Sequence, residues 1–338
     1  MAENVMDHIV AELRQQVTTL YPHRGELRNI RVVGHTPKSD HFIYDLVADF
    51  ANGAERMAVK VYRPGKTPQA ARSQAMEEYS NLERVYTAFS ENQLAGVPRP
   101  LGDFSAQGAV VSEKIQGVPL QSMMMKAALL PGYDDNTSLR EAAARAGEWL
   151  RNFHRLTAGP TQVFDAQQLL SELENLCLNC RGEGLDNDAI QKILAGAKIS
   201  LGKARKSIPS SAVLKDFTPL SIVVTENGVG VSDYGKMSDQ GISFSDAATF
   251  LASVEALEKY PFCNRHITGR VQESFLEAYG ASGADQAVLS VLKMRALLSM
   301  FAQGRGVKES AVRKKVMWAT VMKRFIQQAA SRSLAPAA

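Results

Sequence analysis

VLKDFTPLSIVVTENGVGVSDYGK, residues 213–236, places two aspartates at the mouths of two short β-branched runs. The runs SIVV and VGVS favour strands, and the Asn-Gly of the intervening TENG favours a tight turn, so the stretch predicts a β-hairpin. A hairpin returns its two ends to the same side. Asp216 and Asp233 would then stand side by side, an arrangement that suits chemistry needing two carboxylates around one small cleft.

Composition bounds what surrounds that hairpin. The chain has 338 residues, 45% of them apolar, enough to bury a core in one large domain or two modest ones. Its apolar runs fall far short of the roughly 20 residues that span a bilayer. The opening MAENVMDHIVAEL mixes acids into its apolar pattern, unlike a secretory signal. Together these predict a cytoplasmic protein without a transmembrane segment. The formal charge of +4, from 39 basic and 35 acidic residues, is too small to imply a nucleic-acid partner. The surplus collects in GRGVKESAVRKKVMWATVMKRF, where Val307, Val312, Val316, Met317, Val321 and Phe325 recur at helical spacing. A helix with a solvated basic face fits this pattern; contact with a phosphate-bearing substrate or a membrane surface is the competing reading.

Cys177, Cys180 and Cys263 are an odd number of cysteines in a long chain, which argues against a disulfide framework. CLNC has a metal or redox spacing, but it stands in the leucine-periodic QLLSELENLCLNC with no second ligand pair. Core or partly exposed helix thiols are expected.

Along the chain, residues 1–25 read as a helix, and IRVVG, FIYDLVADF and MAVKVY then read as an antiparallel meander. A helix follows in SQAMEEYSNLERVYTAF, with Met76, Tyr79, Leu82, Val85, Tyr86 and Phe89 on its apolar stripe. PRPLGDF and GAVVSEKI are two further strands. Beyond Leu120 helical periodicity dominates, in REAAARAGEWLRNFHRL, AQQLLSELENLCLNC, SDAATFLASVEALEKY, ITGRVQESFLEAYG and DQAVLSVLKMRALLSMF, interrupted only by the opening hairpin. The three methionines of MMMKAALLPGY fill core or line an apolar cavity. The class is α+β, a β-rich domain at 1–115 before a mainly helical one at 116–330, with a flexible tail at 331–338.

These pieces, in this order, resemble the aminoglycoside phosphotransferase and choline kinase branch of the protein-kinase-like fold, with some features similar to RIO kinases. MAVKVY looks like the strand whose lysine, here Lys60, pairs with nucleotide phosphates and a helix glutamate. Glu78 in QAMEEYSNLERVY is the expected partner, with Glu77 next. VVSEKIQGVPL resembles the interlobe hinge, so the Glu113 carbonyl and Ile115 amide would hold adenine, with Ser112 near the deeper pocket. DFTPLSIVV is similar to the catalytic loop and VSDYGK to the metal loop. Asp216 would then take or orient the acceptor's hydroxyl proton, and Asp233 would hold magnesium. His154 in WLRNFHRL matches a histidine that packs near that loop, a structural duty. Asp246 in FSDAATFL reads as a helix cap or, by the resemblance, a tether for the catalytic-loop backbone. The resemblance implies a bilobal fold with a small antiparallel-sheet N-lobe and a larger helical C-lobe, using ATP and Mg.

Three departures qualify it. The family's His-Gly-Asp is Leu214-Lys215-Asp216 here, and leucine can replace the packing of the ring but not its hydrogen bonds. Where the family has a metal-binding asparagine stands Ser221, a shorter and weaker ligand. The phosphate-covering loop would lie in GHTPKSDHF, which is not glycine-rich; Ser39, with Lys38, would contact phosphate instead. The leading expectation is an ATP-dependent phosphotransferase acting on a hydroxyl of a sugar, amino alcohol or cell-envelope precursor. The alternative is a pseudokinase, a nucleotide-binding or non-catalytic module. A RIO-type protein kinase ranks third, because the stretch between Asp233 and Asp246 is too short for a peptide-docking segment.

Overall fold

Alternating side chains set the first sheet. The computed structural model describes residues 2–65, 67–130, 136–182, 185–260, 263–306 and 323–333. It divides into two compact units, one of residues 1–117 with 225–237, the other of residues 118–224 with 238–338.

The first unit opens with α1 (Ala2–Leu20), followed by β1 (Leu27–Pro37), β2 (His41–Phe50) and β3 (Gly53–Tyr62). Then come α2 (Pro68–Glu91), β4 (Pro100–Phe104) and β5 (Ala109–Glu113). The strands form one antiparallel sheet in the order β1-β2-β3-β5-β4. The first three strands are the expected meander; β5, not β4, lies next to β3. Met57, Val59 and Val61 share one face of β3 and join a buried cluster with Ile9, Leu13 and Val17, the i, i+4, i+8 stripe of α1. Ala58, Lys60 and Tyr62 therefore point to the other face. Thr67 caps α2 by accepting from the Ala70 amide at 3.4 Å, and Pro68 stands in its first turn, where no backbone donor is lost. The expected apolar stripe of α2 is corrected at Met76, which is 58% exposed. Leu82, Val85 and Phe89 are buried as expected, and Ala71, Ala75, Glu78 and Asn81 complete the buried face, so a charged side chain sits where periodicity alone assigns an apolar one.

The second unit begins with β6 (Val118–Pro119), α3 (Leu120–Leu129), α4 (Asn136–Leu156), β7 (Gln162–Val163), α5 (Ala166–Gly182) and α6 (Asn187–Leu201). There follow β8 (Ser207–Ile208), β9 (Ser210–Val213) and β10 (Ile222–Thr225); β11 (Gly228–Val231) and the loop to Met237 belong to the first unit. The strands β10 and β11 flank the Glu226-Asn227 turn of the expected hairpin. The chain returns through β12 (Ser238–Ile242), α7 (Phe244–Glu255), α8 (Arg265–Tyr279), α9 (Gly283–Gly306) and α10 (Lys323–Ser333). The expectation that only the hairpin interrupts the helices is corrected by β9, which pairs antiparallel with β12. Helices α3 and α6 were not expected. Met124 is buried on α3 between half-buried Met123 and Met125.

Cys177 and Cys180 lie fully buried on α5, and Cys263 is half-buried. Burial pushes the Cys177 thiol up to about 12, which keeps it protonated and inert. Of the basic C-terminal pattern, Phe325 is buried on α10, whereas Val307, Val312, Val316, Met317 and Val321 lie outside the described residues. Helix α10 runs to Ser333, three residues into the stretch read as tail, and 334–338 lie outside the described residues. No helix among the described residues is long and apolar enough to cross a membrane.

Candidate functional site

In the first unit, Lys60 on β3 reaches both Glu78 on α2 and Asp233 in the loop after β11, each at 3.0 Å. The sheet aims the lysine, and the buried face of α2 supplies the glutamate. Glu77, the neighbouring candidate, is exposed. Burial disfavours the ammonium, but the carboxylates of Glu78 and Asp233 outweigh it and hold the Lys60 amine above the ordinary lysine range. Burial alone would raise Asp233, yet Lys60 draws its carboxyl below the usual range. Full burial lifts Glu78 above its usual value, and Lys60 opposes that rise.

Glu78 is also held by two groups that sequence reasoning missed. The Tyr62 hydroxyl donates to Glu78 Oε2 at 2.5 Å, and the Tyr234 amide donates to Oε1 at 3.4 Å. Tyr62 was visible as the residue two places beyond Lys60, on the same strand face. A Cβ at Gly235 would collide with that same hydroxyl, which accounts for glycine at this place. Tyr234 is fully buried; its hydroxyl donates to the Val231 carbonyl at 3.0 Å, and its carbonyl accepts from Asn81 at 3.2 Å. The loop after β11 is thereby held through both the hydroxyl and the carbonyl of Tyr234.

Ser39 lies between β1 and β2, where its hydroxyl donates to Asp40 at 3.3 Å, and Asp40 also bonds the buried His41 ring at 2.9 Å. Lys38 is exposed, and its amide donates to the His41 carbonyl at 2.9 Å. At the expected hinge, Ser112 pairs with Ala58 and with Pro100. The Glu113 carboxylate accepts from Tyr21 at 2.8 Å, and the Ile115 side chain packs against Gly230 closely enough to exclude a Cβ there.

In the second unit the loop between β9 and β10 carries Leu214, Lys215, Asp216 and Ser221. Asp246 anchors it: its carboxylate accepts from the Leu214 amide at 2.8 Å and the Lys215 amide at 2.9 Å. It also bonds His154 at 3.2 Å, and the other ring nitrogen of His154 meets the Tyr279 hydroxyl at 3.0 Å. Of the two readings of Asp246, the tether holds; Ser243 stands at the N-cap of α7. Phe217 pins the loop from below, stacked on Trp149 at 5.9 Å and close to Phe250. Leu214 is buried, while Lys215 and Asp216 are exposed.

Lys215 has φ 66°, a left-handed conformation that costs a non-glycine residue about 1–2 kcal/mol. The Ser221 hydroxyl donates to the Asp216 and Thr218 carbonyls, both at 2.9 Å, and accepts from the Thr218 amide at 3.0 Å. It closes the loop on itself. Asp216 lines a cavity of about 530 Å³ within this unit, together with Gln121, Lys215, Lys259, Tyr260 and Arg295.

Magnesium binds through one or two carboxylates and otherwise keeps water and substrate oxygens. Asp233 fits that demand: its Oδ1 takes the Lys60 and Gly235 bonds, and its Oδ2 would be the atom to hold the ion. No cluster of three or more metal-ligating side chains occurs among the described residues.

No family model matches the sequence, and no curated protein matches it. Solved structures do. Choline kinase LicA from Streptococcus pneumoniae is 12% identical, with a TM-score of 0.51, covering 95% of this chain and 99% of its own. A glucosamine kinase, solved with glucosamine, ADP and inorganic phosphate, is 14% identical with a TM-score of 0.53, over 94% of this chain and 97% of its own. Amicoumacin kinase hAmiN, solved with AMP-PNP, Ca2+ and Ami, is 13% identical with a TM-score of 0.53, over 94% and 93%. Likeness over nearly the full length of each chain shows the fold, which is protein-kinase-like.

Proposed function

We propose that the protein is a kinase of small molecules, passing the γ-phosphoryl group of ATP to a hydroxyl. The observation that carries this reading is Lys60 held at 3.0 Å from both Glu78 and Asp233. A lysine so placed presents a fixed positive charge to a polyphosphate, and phosphoryl transfer depends on positioning and charge stabilisation more than on covalent help from the protein. The acceptor oxygen bonds to the γ-phosphorus as the bond to the β–γ bridging oxygen breaks; ADP leaves, and the hydroxyl proton passes to Asp216. Magnesium bound at Asp233 Oδ2 would neutralise charge on the phosphate oxygens. In this reading Glu113, Ile115 and Ser39 meet the nucleotide through backbone and hydroxyl groups, and the protein works in the cytoplasm. The solved kinases of choline, glucosamine and amicoumacin share the fold and support small-molecule acceptors.

Ser221 favours a second reading, a pseudokinase that binds nucleotide without turnover. Its hydroxyl shares its one proton between two loop carbonyls and receives the Thr218 amide on one lone pair, so a single lone pair is left to serve a metal. Thermal shift with ATP, with and without magnesium, followed by ADP release over a metabolite panel, separates the two. The kinase reading expects a magnesium-dependent shift and turnover that Asp216→Asn lowers by about 100-fold or more, with nucleotide binding retained. Asp233→Ala should remove the magnesium dependence. Wild-type turnover by Asp216→Asn would refute the base, and a shift with no turnover across the panel favours the pseudokinase.

A further inference from the structure

We infer that the acceptor met by Asp216 is an uncharged polyol, and that Ser245, Thr249 and Ser253 read its hydroxyls. Transfer to that acceptor rests on the phosphotransfer reading above; its chemical class rests on α7 and the cavity of about 530 Å³ that α7 borders. Of the twelve residues of α7, nine are buried. The other three are Ser245, Thr249 and Ser253, all half-buried and all lining the cavity. Recurring at every fourth residue, they form one stripe along the helix, with about 6 Å of rise from each to the next. The open side of an otherwise packed helix is therefore hydroxyl throughout. An apolar guest would have no use for such a stripe.

The protons and lone pairs suit a partner that both donates and accepts. The Thr249 hydroxyl donates to the Ser245 carbonyl at 2.9 Å and the Ser253 hydroxyl to the Thr249 carbonyl at 2.8 Å, so each turns its lone pairs to a donor. The Ser245 hydroxyl and the Gln121 and Ser299 side chains, also on the lining, make no hydrogen bond among the described residues and can donate or accept. Every hydroxyl of a polyol meets both demands. Charge points the same way. Among the described residues of the lining the ionic side chains are Lys215, Asp216, Lys259 and Arg295. Arg295 is matched by Glu172 at 2.7 Å, Lys259 stands over the Tyr260 ring at 5.3 Å, and Lys215 and Asp216 are neighbours of opposite sign. A charged acceptor would give up hydration in a partly enclosed space without a spare counter-charge among these side chains, which costs far more than burying a hydrogen-bonded hydroxyl.

The test uses the full chain and five probes: glucose and myo-inositol as neutral polyols, glucosamine and choline as cations, and glucose 6-phosphate as an anion. Calorimetry with a non-hydrolysable ATP analogue measures binding, and ADP release with ATP measures transfer. The expected result is that glucose or inositol binds more tightly than every charged probe. Ser245→Ala and Thr249→Val should each weaken that binding about tenfold, whereas Thr249→Ser, which keeps the hydroxyl, should not; nucleotide affinity and melting temperature stay unchanged. Three results overturn the inference: no binding by either neutral polyol, a charged probe bound as tightly or more tightly, or polyol affinity unaltered in both hydroxyl-deleting variants. Hydroxyl-dependent polyol binding with no transfer to any probe upholds the polyol site and counts against phosphotransfer. Transfer confined to charged probes upholds phosphotransfer and overturns the polyol.

Discussion

Replacing Lys215 by glycine removes the Cβ that makes its left-handed backbone costly. The strain relieved is about 1–2 kcal/mol, and the added freedom of glycine in the unfolded chain returns roughly 0.5–1 kcal/mol. Urea unfolding of Lys215→Gly should therefore show a net gain of up to about 1.5 kcal/mol and no loss. Gly235→Ala should lose about 1–3 kcal/mol through its clash with the Tyr62 hydroxyl, and in a Tyr62→Phe background that loss should shrink by at least half; an equal loss in both backgrounds would refute the contact. The carboxylates around Lys60 should titrate apart. Glu78 is raised above its ordinary 4.5 and Asp233 lowered below its ordinary 3.8, so on acidification Glu78 takes its proton first. Glu78 thus contributes stability that is lost as pH rises through its folded value, and Asp233 contributes stability that is lost as pH falls through its own. Carboxylate NMR of the wild type, with the two signals assigned by their loss in Glu78→Gln and Asp233→Asn, reads that order. Strand alternation gave the face on which Lys60 stands, whereas its pairing with Glu78 was legible only through the resemblance of MAVKVY and QAMEEYSNLERVY to a known strand and helix. The service of Tyr62 to Glu78 joins β3 to α2 and had no local signal beyond its place on the lysine's face.

Among elements, the anchoring of the β9–β10 loop to α7 is the joint most open to test. Asp246→Ala leaves two backbone amides and a buried imidazole without their carboxylate and should cost roughly 3–5 kcal/mol; Asp246→Asn, which keeps one acceptor oxygen, should cost less. Hydrogen exchange at Leu214 and Lys215 reports the same loss directly. Helices α4 and α8 pack closely enough that a Cβ at Gly147 would strike the Phe275 carbonyl, so Gly147→Ala should destabilise by about 1–3 kcal/mol. The long periodic helices were readable as such. Helix α6 was not picked out, although Asp186 caps it by accepting from the Ala189 amide at 2.8 Å. Short β9 and β12 were missed because a strand of four or five residues is defined by the partner it finds, and the register between Ser238 and Gly241 is irregular.

At the scale of the whole molecule, the order of a five-stranded sheet before a mainly helical part followed from the change of period near Leu120, whereas the excursion of residues 225–237 into the first unit did not. Periodicity describes each segment and says nothing of which unit it joins. Residues 1–117 alone should therefore give no cooperative thermal transition by circular dichroism, because the Gly96 carbonyl loses the Val231 amide and Lys60 loses Asp233. Restoring 225–237 on a flexible linker should bring the transition back. The same excursion orders events on the ribosome. All of residues 118–224 must emerge before the nascent first unit receives its last strand, so vectorial maturation cannot finish that unit until the first segment of the other has been made. A chain arrested in that interval would expose a lysine already aimed, still waiting for the second of its two acids.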